Sequence, residues 1–448
     1  MDATSPHQRS WPTPNIPLEV PTMYIDKLNL TNVRTFVKNE LRLLHPDSIF
    51  RSPKAEPNGD EFLLPKPKLP NVNLLLGDNG SGKTTVLQAI ALASLGPAAR
   101  ESQLPLRKYV RFASGKVKSA AKHPAPTTIT ASLRLHAQDG PAQEWAESLL
   151  RFKPLRELER LEFDDSTHEA SFWEPVFESK NDAFFCAAYG ATRRVDAGES
   201  PERGAAPKTS FLRGQRLQSI FQDSFALFPL AYWLPQLKSG NKGRYTQVVD
   251  LLNHLLGPGH YRFTEEMKEG EYLFERGGMR VPYRSLSDGY RAFIAWVADL
   301  LYHVCYGCPS GKKLVESAGV VLVDEIDLHL HPKWQMQVVH TVARALPRMQ
   351  FVLTSHSPLI ASSLEWMNII TLQVHNRSNR TQTGRLKQSI HGLDADQMLL
   401  TDFFGLKTTR ASGKVSELED LQRKARHGDT EAADRIILAM AEGSEASE

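Results

Sequence analysis

Residues 71–95 read NVNLLLGDNGSGKTTVLQAIALASL, and their reading decides the fold. The run at 71–76 is short, apolar and closed by a glycine, which suits a buried strand. The run at 84–95 has helical spacing and good helix formers. Between them lies GDNGSGKTT (77–85): Gly77, four residues, then Gly82-Lys83-Thr84. Glycines here let the backbone curl so that amide N–H groups point inward, and a helix N-terminus adds a field that favours anions. This is the Walker A pattern in its required context, strand before and helix after. Gly77, Asp78, Asn79, Gly80, Ser81, Gly82, Lys83, Thr84 and Thr85 are therefore the expected ATP-binding residues. Lys83 would reach the β- and γ-phosphates, and Thr84 would ligate Mg²⁺.

Downstream, Val320 to Val323 run apolar into Asp324-Glu325, a buried strand that delivers two carboxylates to a sheet edge. Asp324 can hold Mg²⁺ through water, and Glu325 is placed to polarise an attacking water as catalytic base. FVLTSHSP (351–358) is another buried strand ending in polar residues, with His356 set to contact the γ-phosphate. Strand, helix, apolar strand, helix, apolar strand predicts an α/β fold with a mostly parallel core sheet. The long stretch between Lys83 and Ser287 exceeds any single connection and must form an inserted subdomain.

Composition agrees with a globular chain. The 448 residues are 41% hydrophobic and 23% charged, and 54 basic against 51 acidic residues leave a net charge of +3. That bias is too small to argue for nucleic acid except through a local patch. Three cysteines are too few for a disulfide framework, which points to a reducing cytoplasm. No apolar run approaches the roughly 20 residues that cross a bilayer, so no membrane association is expected.

SLSDGYR (285–291) precedes a long apolar helix, with Ser287 as its N-cap. The order Gly77–Thr84, Leu286–Gly289, Asp324-Glu325, His356 resembles the ATP-binding-cassette type of head domain: Walker A, signature, Walker B and switch histidine. LSDGYRAFIAWVADLL, DEIDLHLHPKWQ and TSHSPLIAS look like the ATPases grouped with the OLD and SMC/RecF-like proteins, whose bacterial members often serve anti-phage defence or toxin-like modules. The resemblance implies a P-loop NTPase that dimerises around ATP. Ser287 and Gly289 would meet the partner's nucleotide in trans, and Asp327 would lie in the D-loop. It also implies a homodimer or higher assembly and a separately encoded nuclease or toxin effector. The alternatives are a RecF/SMC-like DNA-repair or DNA-maintenance ATPase that binds DNA directly, and, more distantly, a transporter subunit.

Some features depart from that pattern. Asp288 stands where transporters usually carry glycine, and no Q-loop glutamine is evident. Arg34 in TNVRTF is a candidate adenine contact by analogy with other heads. His329 and His331 fit a turn and a helix start better than a metal pair. Arg193 and Arg194, in YGATRRV, are placed by the resemblance near the nucleotide or the dimer seam. Basic residues interleave with Tyr109 and Phe112 across 107–124, readable as a solvated loop or a nucleic-acid surface. The expected division is a disordered tail at 1–22, the first part of the head at 23–96, and an inserted, largely helical subdomain with remaining sheet elements at 97–280. Signature, Walker B, D-loop and switch histidine follow at 281–375, and a charged helical region closes the chain at 376–448.

Overall fold

The computed structural model of the chain describes residues 23–52, 64–100, 102, 104, 109–111, 126–135, 145–155, 158–164, 170–177, 184–193, 212–257, 261–307, 311–375, 380–388, 390–404 and 406, with 420, 421, 423–425, 431 and 435 near the C-terminus. The expectations for the N-terminal tail, the basic stretch apart from 109–111, Arg194 and most of the C-terminal region lie outside the described residues. Contacts divide the chain into one unit ending at Leu393 and a second beginning at Asp394.

In the first unit, six strands form the central sheet. They are β3 (Val72–Gly77), β7 (Cys186–Tyr189), β11 (Gly319–Val323), β12 (Met349–Ser355), β13 (Ile369–His375) and β14 (Arg380–Gly384), in the order β14-β13-β3-β12-β11-β7. From β13 to β7 every pairing is parallel, and β14 closes one edge antiparallel. Every residue of β7, β11 and β12 is buried, as expected where a parallel sheet is covered on both faces. The phosphate-loop strand β3 and the acidic strand β11 are not neighbours. Strand β12 lies between them, so three consecutive C-terminal ends converge on one edge.

A second, antiparallel sheet has the order β2-β1-β4-β5-β6, built from β1 (Met23–Val33), β2 (Phe36–Arg42), β4 (Thr127–Leu135), β5 (Trp145–Leu155) and β6 (Leu158–Phe163). Its last two strands occupy a stretch, 141–163, that reads from its charges and helix formers as a charged helix, and the structure corrects that reading over 145–155 and 158–163. Glu, Leu and Arg in that stretch are helix formers, but Ala146, Ser148, Leu150 and Phe152 are buried while Trp145, Glu147, Arg151 and Lys153 are exposed. That alternation is the period of a strand, and pairing with β4 wins over local propensity. Helix α1 (Lys83–Leu95) is apolar nearly all round because it is enclosed between the two sheets, sharing one core with both. Gln350 ties the sheets together: its carboxamide accepts from Ile25 N at 2.9 Å and donates to Ile25 O at 2.7 Å and Leu44 O at 2.9 Å.

The chain between α1 and the signature also supplies helices, among them α2 (Ala170–Phe177), α3 (Leu212–Gln218), α4 (Leu230–Gly240) and α5 (Lys242–Leu256). A small sheet follows, β8 (Arg262–Lys268), β9 (Glu271–Arg276) and β10 (Met279–Pro282). The β9–β10 hairpin turns at Gly277-Gly278, both at positive φ (59° and 80°), a geometry glycine reaches without steric cost. Two long helices, α6 (Asp288–Gly307) and α7 (Pro332–Ala345), and the short α8 (Pro358–Ser362) follow in the same unit. In the second unit, α9 (Ala395–Leu399) starts behind Asp394 with a capping box to Gln397. Among the described residues, no helix is long and apolar enough to cross a membrane.

Candidate nucleotide site

The phosphate loop is held open by its glycines. A Cβ on Gly77 would lie 2.3 Å from the Leu372 carbonyl oxygen of the neighbouring strand, so no other residue fits there. Gly80 and Gly82 take positive φ (78° and 98°) as the chain turns into α1. Lys83, largely buried, donates from Nζ to Gly77 O at 2.7 Å and Asp78 O at 3.1 Å. Burial lowers the pKa of its ammonium, opposed by the charges of Asp324, Glu325, Asp78 and Asp327. Ser81 keeps a buried hydroxyl without a protein partner among the described residues, and its carbonyl accepts from the Thr381 hydroxyl at 2.9 Å. Asp78, Asn79 and Gly80 are exposed at the loop tip, and Thr84 and Thr85 follow in the first turn of α1.

The acidic pair meets this loop directly. Thr84 Oγ1 donates to Asp324 Oδ2 at 2.7 Å, although 240 residues separate them. The other carboxylate oxygen accepts from Thr354 Oγ1 at 2.6 Å. That hydroxyl also accepts from Glu325 N at 2.7 Å, so one side chain of β12 registers both acids. Glu325 is half-buried with φ of 48°, a left-handed conformation unusual for a non-glycine residue. Arg193, 5% exposed at the end of β7, bonds the carbonyls of Asp324 and Glu325 through Nη2 and that of Gly190 through Nε at 3.2 Å. Burial pushes its guanidinium down to about 10, still protonated at neutral pH.

His356 sits half-buried just past β12, on the same edge as the loop and the acids. Asp327 is two residues beyond Glu325, with Oδ1 buried and unpartnered among the described residues. Arg34 lies at the β1–β2 turn, where Nη1 donates to Thr85 Oγ1 at 2.9 Å and Gln88 Oε1 at 3.0 Å while the guanidinium covers Tyr109. Tyr109 is itself buried, stacked on Phe152, and so is not a base-stacking platform. The signature residues lie at the start of α6, against the turn that follows the acidic pair. Ser287 is exposed ahead of α6, its carbonyl accepting from Arg291 N at 2.9 Å as an N-cap carbonyl does. Asp288 turns away to pair with Arg291, and Gly289 is buried against the His329 backbone of the same chain.

Thr354 had no signal in the sequence, and Arg193, placed near the nucleotide or dimer seam by resemblance, had none for its bonds to the acidic pair. Nothing in the sequence states that β12 and β7 flank the acidic strand, and only that order brings them to Asp324 and Glu325.

A strand–glycine loop–helix, whose first helical turn bonds the carboxylate ending a nearby parallel strand, defines the class: a P-loop ATPase with an ABC-type head. The chain belongs to the family described as "AAA domain, putative AbiEii toxin, Type IV TA system", whose model matches residues 72–362. It is 25% identical over 336 residues to Septu protein PtuA of Bacillus mycoides (strain KBAB4), covering 75% of this chain and 41% of that one. It is 38% identical over 89 residues to the Retron Vc95 probable ATPase of Vibrio cholerae serotype O1 biovar El Tor, 20% of this chain and 17% of that one. The chain thus spans well under half the length of either relative. The SMC head domain from Thermotoga maritima matches at TM-score 0.43 and 10% identity, over 81% of this chain and 99% of that one.

Proposed function

We propose that the chain hydrolyses ATP between two head domains and uses that cycle to regulate a separately encoded effector in a bacterial anti-phage defence module. The observation that carries the reading is the contact between Thr84 and Asp324, with Glu325 beside it. In this reading Gly77 to Thr85 cradle the phosphates, and the fork of loop N–H groups and Lys83 neutralises them. A hydroxyl and a carboxylate at hydrogen-bond distance are the protein donors that Mg²⁺ needs when phosphates and waters supply the rest. In this reading Thr84 and Asp324 would be the residues that hold the ion. Bound there, the ion would neutralise charge developing on the phosphates. Glu325 takes the proton of the attacking water, and His356 contacts the γ-phosphate.

Closure would bring Ser287 and the α6 N-terminus of one subunit onto the nucleotide of the other, with Asp327 at the seam. Exposure of Ser287 and the turning away of Asp288 support this, since they leave a donor-lined helix start free of a facing carboxylate. The names of the relatives, a Septu protein and a retron ATPase, and a family description that cites a toxin system support the defence setting and a partner effector. Direct clamping of DNA is the competing reading.

Glu325→Gln tests the cycle. The variant should bind ATP, turn over little and accumulate as a dimer in size-exclusion chromatography with light scattering. Normal hydrolysis by Glu325→Gln overturns the assignment.

A further inference from the structure

Arg193 is a buried cation whose bonds go to backbone. Among the described residues its guanidinium pairs with no carboxylate and instead donates to the carbonyls of Gly190, Asp324 and Glu325. The charges of Asp324, Asp327 and Glu325 favour the buried guanidinium, but its hydrogen bonds go to carbonyls, and a hydrophobic side chain would join β7 to β11 without desolvating a charge. What the fork supplies is geometry. Glu325 sits at φ 48°, a conformation that costs about 1–3 kcal/mol and persists only where its surroundings fix it. Its peptide is fixed from both sides: Thr354 Oγ1 holds the N–H at 2.7 Å, and Arg193 holds the carbonyl. Leu328 N, 3.0 Å away, fills the second lone pair of that carbonyl and starts the turn toward Asp327.

The segment carrying Arg193 is itself anchored. A Cβ on Gly190 would meet the Ser219 carbonyl oxygen at 2.4 Å, so the chain there passes in close contact. Tyr189 O accepts from Asp324 N at 2.8 Å, and the Tyr189 hydroxyl donates to Asp299 Oδ2 at 2.9 Å on α6, the helix headed by the signature. Arg193 thus stands where the signature helix, β7 and the acidic pair are connected.

We propose that Arg193 is a positioning residue for the reaction: it holds the Glu325 backbone in its left-handed conformation so that the carboxylate faces the attacking water. The proposal rests on Glu325 being the base. Lysine keeps the charge but not the planar fork, and a single ammonium nitrogen cannot stand where both Nε and Nη2 now stand, one on Gly190 and the other on Asp324 and Glu325. Arg193→Lys should therefore lower kcat by about 100-fold, the scale expected when a reacting group is displaced by about 1 Å. KM and the affinity for a non-hydrolysable ATP analogue should be unchanged. In a Glu325→Gln background, followed in single-turnover assays with radiolabelled ATP, the same change should cost nothing more.

An unaltered kcat, or the same fold-loss in both backgrounds, overturns the proposal. So does a parallel fall of analogue binding and thermal midpoint, which would assign Arg193 to structure. If Arg193→Lys does not fold, Arg193→Gln replaces it, and failure of both to fold has that same structural meaning. Wild-type turnover by Glu325→Gln alone would refute the base assignment instead, so the two failures are distinguishable.

Discussion

At the residue scale, the most consequential hydroxyl in the site belongs to Thr354. It donates to Asp324 at 2.6 Å and accepts from Glu325 N at 2.7 Å, and it is fully buried. Thr354→Val keeps the shape and deletes both bonds, leaving a buried carboxylate oxygen and a buried N–H without partners. Each orphaned group costs about 1–3 kcal/mol. The variant should unfold at lower denaturant and lose most ATPase activity, whereas Thr354→Ser, which retains the hydroxyl, should recover both. Equal losses in the two variants would assign the effect to packing rather than to the hydroxyl. Threonine in a buried strand was readable only as a β-former. Its part in the site depends on strand order, which periodicity does not encode.

Among the elements, the start of α6 and the turn after Glu325 are packed as one piece. Gly289 is in the signature by sequence pattern, yet a Cβ there would lie 2.1 Å from the His329 carbonyl oxygen of its own chain. His329 in turn has φ of 62°, and His331 caps α7 by accepting from Lys333 N at 3.3 Å. The histidines are thus part of a turn and a helix start, as their spacing suggested, and that turn fixes where the signature helix begins. Gly289→Ala forces backbone apart, and such overpacking costs about 1–3 kcal/mol. Thermal unfolding at low protein concentration without nucleotide should show the loss, because the clash lies within one chain. An unchanged midpoint would mean that the glycine matters only to a second subunit. Most elements around these motifs were legible because buried parallel strands read as plain apolar runs: β3, β7, β11 and β12 all stood out. The pair β5 and β6 did not, since charged helix formers on their exposed face masked a two-residue period.

For the molecule as a whole, stability depends on how the antiparallel sheet meets the parallel one. Along that seam Gln350 bridges Ile25 and Leu44, and the Tyr24 hydroxyl donates to Arg348 O at 3.0 Å. His45 is buried there, stacked on Tyr24 at 5.2 Å between ring centroids and tilted against Trp145 at 5.5 Å. Burial, aided by the charge of Arg134, pushes its imidazole down to about 4. The ring is therefore neutral at pH 7, and its 3.8 Å approach to Asp26 is not an ion pair. The sign follows from linkage. Above pH 6.5 the imidazole is neutral in both the folded and the unfolded chain, and its burial costs nothing extra. As pH falls below 6.5 the unfolded chain binds a proton that the folded chain refuses, and stability drops by up to about 1.4 kcal/mol per pH unit until about pH 4. The whole window removes about 3 kcal/mol. His254 and His340, also lowered by burial, slope the same way, so the wild-type curve alone cannot isolate the seam. Asp26, raised by burial, slopes the opposite way. His45→Phe keeps an aromatic ring between Tyr24 and Trp145 and removes the titration. Denaturant melts from pH 8 to pH 4 should show the variant losing less stability than wild type, with the difference growing only below pH 6.5. Parallel curves would mean that His45 accepts its proton in the folded seam, and that this joint between the sheets opens more readily than its packing implies.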